Sequence, residues 1–191
     1  MPDAKTHDLI GFVTGAALVP LAFQLLQNRG ESPEQAVAGA ALLGAAHMIG
    51  SWWLSPDLDI DSAIDNRWGP FFWIWRPYMW LVPHRHRIFS HSGFSGIFRL
   101  IYLYVVIILL LMGTTIIASW LGYAPAESYA GMFREWVKDL LRTHPREATL
   151  IAIGAITSDA VHTIADHLVT NGQRFLRSVG IRTRRSYRGH R

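Results

Sequence analysis

Apolar stretches long enough to cross a lipid bilayer constrain this chain more than any other feature. Three of them contain no charged residue and are 19, 19 and 22 residues long: residues 9–27, 36–54 and 101–122. A fourth stretch, residues 148–158, is shorter and continues into Asp159, His162 and Asp166. A bilayer-spanning helix needs about 20 mostly apolar residues, and polar residues inside a span usually mark a functional site. The sequence therefore predicts an all-α fold, a polytopic membrane helical bundle with about four transmembrane helices.

The alternative is a water-soluble all-α protein with long buried helices. Half of the 191 residues are apolar and only 17% are charged, against about 25% in a typical soluble domain. Residues 101–122 are apolar on every helical face, and a soluble domain of this size offers little interior to cover them. The composition also excludes a disordered chain, and the absence of cysteine excludes disulfides, zinc–thiolate sites and cysteine nucleophiles.

Lysine and arginine are distributed unevenly along the chain. If four spans place both termini on one side, 13 of the 18 basic residues fall on that side and 5 on the other. The positive-inside rule then puts the N- and C-termini in the cytoplasm, and predicts a multi-pass protein of the inner membrane whose site faces the cytoplasm. Residues 1–170 form the predicted helical membrane domain, and residues 171–191 a basic cytoplasmic tail.

The predicted tail and two other segments have the composition of membrane-surface elements. Residues 171–191 hold seven arginines and no acidic residue, which predicts contact with anionic lipid; no nucleic-acid-binding motif accompanies them, so no nucleic-acid partner is expected. Residues 68–80 are rich in tryptophan and are predicted to pack at the cytoplasmic interface and cover the site, or to form an aromatic core of a soluble domain. Residues 128–143 predict an amphipathic helix, either lying on the outer surface or packed on a soluble core. No sequence feature specifies an oligomeric state.

The histidines and carboxylates gather at the predicted cytoplasmic ends of the helices. They form four sets: His7 and Asp8; Asp57, Asp59 and Asp61; His84, His86 and His91; Asp159, His162, Asp166 and His167. His162 and Asp166 are four residues apart, so they share one helix face about 6 Å apart. Imidazole and carboxylate ligands without thiolate suit Zn, Mn, Fe or Ni, and their number leaves one or two ions open. His47, in the middle of an apolar stretch, is interpreted as a hydrogen-bonded packing histidine.

These motifs, in this order, resemble a bacterial family of uncharacterised membrane proteins described as metal-binding. The motifs are Thr6-His7-Asp8, Pro56-Asp57-Leu58-Asp59, Trp75-Arg76-Pro77-Tyr78, His84-Arg85-His86-Arg87 with Ser90-His91, and His162 with Asp166, Thr170 and Gly172. The set is also similar to that of LexA-regulated inner-membrane metal-dependent hydrolases. The resemblance implies a ligand set of His7, Asp57, Asp59, His86, His91, His162 and Asp166. Arginine follows both His84 and His86, so either histidine fits the motif.

The resemblance implies an integral membrane metal-binding protein that acts as a metal-dependent hydrolase on a phosphoester or a lipid headgroup. Asp59 or Asp166, whichever is not a ligand, would act as general base, and Arg87 would hold the substrate phosphate. The expected cofactor is Zn, with Mn or Fe as alternatives, as one or two ions. The alternatives in function are a non-catalytic membrane metal-binding or interaction protein and a metal transporter. A transporter would need ligands near the bilayer midplane, where only His47 is predicted to lie.

Overall fold

The chain forms helices throughout the part that the computed structural model describes, residues 4–59, 65–82, 92–123 and 127–180. In chain order they are α1 (Ala4–Asn28), α2 (Pro33–Trp52), α3 (Asp65–Trp68), α4 (Arg76–Leu81), α5 (Ser95–Trp120), α6 (Tyr129–Thr143) and α7 (Pro145–Ser178). Two 3-10 segments, Pro56–Asp59 and Gly69–Trp75, lie between α2 and α4. The described residues contain no strand, so the predicted all-α fold is confirmed.

Four of the helices are long and apolar enough to cross a bilayer. They are α1, α2 with the turn that follows it, α5 and α7, and the candidate spans are 24, 26, 26 and 34 residues long. The first long apolar stretch lies within α1, and the other two lie in α2 and α5 except for the last two residues of each. The short fourth stretch lies in α7, which runs unbroken from Pro145 to Ser178, so Asp159, His162 and Asp166 are inside a helix that meets the length of a span. The first eight residues of the predicted tail are also part of α7.

α2 is the central helix of the bundle, with α1 along one side and α7 along another. Small residues let α2 and α7 approach closely. A Cβ atom at Gly154 would lie 2.6 Å from the Ala46 side chain and 2.8 Å from the backbone oxygen of Leu43, so the two backbones touch at this position. Ala22, Ala40, Leu43 and Leu150 form the buried core between the three helices.

Helix capping and one ion pair stabilise the end of the bundle at which the chain passes from α1 to α2. The Ser32 side chain and the Gln35 side chain form a reciprocal capping box at the start of α2, as the sequence predicts. The guanidinium of Arg146, on α7, donates to both carboxylate oxygens of Glu31 and to the backbone oxygen of Gln35. The hydrogen bond from Arg146 holds the pKa of Glu31 below its ordinary value.

The aromatic segment 68–80 packs beside the turn that contains Asp57. Trp75 and Tyr78 are buried and form a cluster with Leu54, which precedes that turn, and Leu58, which lies in it. Trp73 is 55% exposed on the other side of the segment. One face of the segment therefore covers the turn next to Asp57, and the other face is open.

α6 contacts α5 through part of its apolar face, while its side chains Met132, Trp136 and Leu141 remain 54%, 58% and 54% exposed. The ring of Phe133 stacks on that of Tyr104, with 5.9 Å between the centroids. Arg134, Glu135 and Lys138 are more than half exposed on the other face. The contact with α5 thus covers only part of α6, and the predicted setting of residues 128–143, on the outer surface or on a soluble core, stays a prediction.

Candidate metal centre

Three helical elements bring histidine and aspartate side chains to one end of the bundle. His7 ends the first turn of α1, Asp57 lies in the 3-10 turn after α2, and His162 lies in the second half of α7. One candidate ligand atom from each of the three lies within 4.8 Å of the others. Asp166 follows His162 by one helical turn and joins them. Residues from three of the four predicted sets thus meet in the fold.

The distances in this cluster suit a single ion. His7 Nε2 lies 3.3 Å from Asp166 Oδ1, His162 Nε2 lies 3.5 Å from Asp57 Oδ1, and His162 Nε2 lies 3.8 Å from Asp166 Oδ2. Ligands held about 2.0–2.2 Å from a tetrahedral ion are about 3.4 Å from one another. The rings of His7 and His162 stack with 3.9 Å between centroids, and one nitrogen of each lies within 4.8 Å of the other and of an Asp57 oxygen.

The residues of this cluster are largely buried. Asp166 and both histidines are 7% exposed, and the side chain of Asp57 is 16% exposed. Among the described residues, neither carboxylate oxygen of Asp166 accepts a hydrogen bond of standard geometry. Imidazole nitrogens of His7 and His162 lie 3.3 Å and 3.8 Å from these oxygens. Burying a carboxylate without a full opposite charge beside it costs free energy, and a divalent cation would offset that cost. Two imidazoles with two carboxylates are ligands that Zn²⁺ accepts, so the residues present fit a divalent metal.

The remaining predicted site residues are not among the side chains that the structure describes. The backbone of Asp59 closes the 3-10 turn two residues after Asp57, but its side chain is outside the described set. His84, His86, Arg87 and His91 fall between residues 82 and 92, also outside it. Their assignments as ligands, general base and phosphate-binding residue stay predictions.

Several polar residues that the sequence groups with the site have other partners. Asp8 accepts hydrogen bonds from Arg67, at 2.7 and 2.6 Å. Asp159 is fully buried with Arg99 at 2.5 Å and also accepts a hydrogen bond from Ser95. His167 is exposed, with Nδ1 3.2 Å from the Thr163 backbone oxygen.

Sequence reasoning missed the role of the two arginines in these pairs. In the sequence, Arg67 and Arg99 stand out only as two of the positive charges on the predicted cytoplasmic side. The one available signal is that Arg99 comes two residues before the longest apolar run, where an unpaired charge would be costly.

His47 lies deeper in the bundle and is separate from this cluster. Its Nε2 is 3.0 Å from Thr14 Oγ1 on α1, and its Nδ1 is 3.1 Å from Thr157 Oγ1 on α7. Both ring nitrogens therefore have hydroxyl partners, which confirms the interpretation of His47 as a hydrogen-bonded packing histidine.

Comparison with known proteins supports metal binding. Residues 2–176 match the model of a family described as "Uncharacterized metal-binding protein (DUF2227)". An uncharacterized protein of Aquifex aeolicus (strain VF5) is 28% identical over 134 residues, which is 69% of this chain and 92% of the relative. No solved structure gives a significant match.

Proposed function

We propose, because the chain belongs to the family of uncharacterized metal-binding proteins DUF2227, that it binds a divalent ion through His7, Asp57 and His162. The observation on which this depends is the convergence of these three side chains beside the buried carboxylate of Asp166. Zn²⁺ is the proposed ion, since it accepts imidazole and carboxylate ligands; Mn²⁺ and Fe²⁺ are the alternatives.

We also propose that the protein is a membrane protein. α5 has the most apolar window of the four candidate spans, and none of that window is buried. Exposed side chains on it include Ile101, Leu109 and Ile117, at 53%, 60% and 58%. Contiguous apolar surface of this kind is typical of contact with lipid or another protein, and the length of all four helices favours lipid.

The distribution of basic residues supports the proposed orientation. Both termini and the metal site would face the cytoplasm in an inner membrane, and the C-terminal arginines would contact anionic lipid headgroups. The cluster lies near the start of α1 and just after the end of α2, which meet at one end of that helix pair; in α7 it lies about midway, and the helix continues for 16 residues beyond His162. Such a position favours a site at the membrane surface over a site at the midplane, and so disfavours a transporter.

The proposed activity is hydrolysis of a phosphoester, including that of a lipid headgroup, as in the metal-dependent hydrolases that the motifs resemble. Three protein ligands leave one position of a tetrahedral ion open, as in catalytic zinc sites. A divalent ion bound there would polarise a phosphoryl oxygen. Asp166, with one oxygen 3.3 Å from His7 and the other 3.8 Å from His162, would accept the proton of the attacking water.

A second candidate is a non-catalytic metal-binding protein. The short distances from Asp166 to both histidines also allow Asp166 to be a fourth ligand. Four protein ligands would close the coordination shell, as in structural zinc sites.

The D166N variant separates the two candidates. The full chain is purified from membranes in detergent, and we measure Zn²⁺ stoichiometry, Zn²⁺ affinity and hydrolysis of chromogenic phosphomonoesters, phosphodiesters and phospholipid vesicles. If Asp166 is the general base, D166N keeps stoichiometric Zn²⁺ and loses about 100-fold or more in rate. If Asp166 is a ligand, D166N loses Zn²⁺.

The controls test each part of the proposal alone. The matched control is H167A, which removes the exposed histidine next to Asp166 and should change neither property. Wild-type protein that binds Zn²⁺ but hydrolyses none of these substrates contradicts the hydrolase proposal, and wild-type protein that binds no Zn²⁺, Mn²⁺ or Fe²⁺ contradicts the whole proposal.

A further inference from the structure

His7 occupies a position in the fold that needs external support. It is the fourth residue of α1, which begins at Ala4, so it lies in the first helical turn. The first four N–H groups of a helix lack partners within the helix, and terminal turns fray easily. A metal ligand in such a turn binds well only when other contacts keep the turn in place.

Arg67 supplies such contacts from a different element. Its Nη2 donates to both carboxylate oxygens of Asp8, at 2.7 and 2.6 Å. Its Nη1 donates to the backbone oxygen of Trp52, the last residue of α2, at 2.6 Å. Arg67 thus connects the first turns of α1 to the end of α2.

The neighbour of Arg67 holds the same element in place. Trp68 donates from its indole N–H to the backbone oxygen of Trp53, at 2.9 Å. Arg67 and Trp68 belong to α3, which is therefore fixed over the carboxyl end of α2. The 3-10 turn with Asp57 begins four residues after Trp52. The clasp formed by Asp8, Arg67 and the Trp52 carbonyl joins the two parts of the chain that provide His7 and Asp57.

The geometry of a helix explains how this clasp would orient His7. Successive side chains on a helix are about 100° apart, so a fixed direction for Asp8 also fixes the direction of His7. Asp8 is 36% exposed in its side chain and faces Arg67. His7 is 7% exposed and faces His162 and Asp166.

We infer that Arg67 is a positioning residue of the metal centre, which acts through Asp8 to hold His7 in its ligating orientation. The inference rests on the proposed metal site. Changes to residues that orient metal ligands typically weaken binding about 10- to 100-fold. Because Arg67 acts through one intervening residue, the expected loss is about tenfold.

The test measures Zn²⁺ affinity of the full chain by competition with a chelating dye. R67A and D8N should each weaken binding about tenfold, and the R67A/D8N double variant should be no weaker than either, since both changes remove the same contact. R67K should be intermediate, because lysine keeps the charge but cannot form the two-pronged contact. The matched control is R76A, which removes an exposed arginine that stacks over Phe72; its affinity should equal that of the wild type.

A comparison in the H7A background separates positioning from general support of the fold. If Arg67 acts through His7, R67A should weaken Zn²⁺ binding by less than about twofold once His7 is absent. Helical content and melting temperature of the metal-free variants show whether D8N and R67A are folded.

Three results would overturn the inference: wild-type affinity in R67A and D8N, an equal loss from R67A with and without His7, or a loss only in variants that have unfolded. In each of these cases wild-type protein still binds Zn²⁺, which separates failure of this inference from failure of the proposed function.

Discussion

The imidazole rings of His7 and His162 lie face to face, with 3.9 Å between their centroids and 14° between their planes. One ring belongs to the first turn of α1 and the other to the second half of α7. Stacked in this way, two imidazoles present nitrogen atoms to the same space, between Asp57 and Asp166. This pair supplies both nitrogen ligands of the proposed metal site, and the first prediction follows from it.

Replacing His162 by Ala should remove bound metal without disturbing the rest of the fold. The change takes away a ligand nitrogen that lies near both Asp57 and Asp166. Since changes beyond the ligands already cost 10- to 100-fold, we expect H162A to weaken Zn²⁺ binding more than about 100-fold. Metal content after gel filtration checks this, with H167A on the same helix as control. Full Zn²⁺ stoichiometry in H162A would place the metal elsewhere.

Replacing Gly154 by Ala should destabilise the contact between α2 and α7. The new Cβ would lie 2.8 Å from the Leu43 backbone oxygen and 2.9 Å from the His47 backbone nitrogen, and backbone atoms cannot rotate away. Overpacking of this kind costs about 1–3 kcal/mol. Gly172, also on α7, is the matched control, because a Cβ there meets nothing within 4 Å and Gly→Ala should gain up to about 1 kcal/mol.

Thermal unfolding of G154A and G172A in the same detergent provides the measurement for this contact. Opposite shifts in melting temperature are expected for the two variants. Equal shifts would show that the close approach of α2 and α7 at Gly154 is not a tight contact.

The ion pair between Glu31 and Arg146 should make stability depend on pH. Because Arg146 lowers the pKa of Glu31 in the folded state, this contribution is fully present above the ordinary glutamate pKa. It is lost as the pH falls through the lowered value, where the folded-state carboxylate is protonated. The melting temperature of E31Q should therefore be below that of the wild type at neutral pH, and the difference should vanish in acid.

The matched control for this pair is E127Q, which removes an exposed carboxylate from the segment before α6. It should leave the melting temperature unchanged at both pH values. A difference between E31Q and wild type that does not change with pH would contradict an origin in the ion pair.

Reporter fusions test the proposed membrane topology. With four spans and 13 of the 18 basic residues on one side, a reporter fused after Gly122 should be active outside the cytoplasm. A reporter at the C-terminus should be active in the cytoplasm. If the C-terminal fusion is extracytoplasmic, α7 does not cross the membrane in the proposed direction, and the cytoplasmic position of the site is wrong.

Local patterns in the sequence determined the helices. The apolar stretches and the capping box at Ser32 and Gln35 predict where long helices begin and what surfaces they have, because both depend on residues close together in the chain. The spacing of His162 and Asp166 likewise fixes their common helix face. The composition, with nine histidines and no cysteine, likewise predicts that any metal ligands are imidazoles and carboxylates.

Tertiary structure alone decided which polar residues meet. Asp8 and Asp159 have the same chemical character as Asp57 and Asp166, yet they pair with Arg67 and Arg99. The choice depends on how α1, α3, α5 and α7 are rotated and how far they are shifted along one another. Those quantities are set by packing, as at Gly154, where the lack of a Cβ atom lets the backbones of α2 and α7 touch. Packing between distant segments leaves no local pattern in the sequence, so the partners of each carboxylate become visible only in the fold.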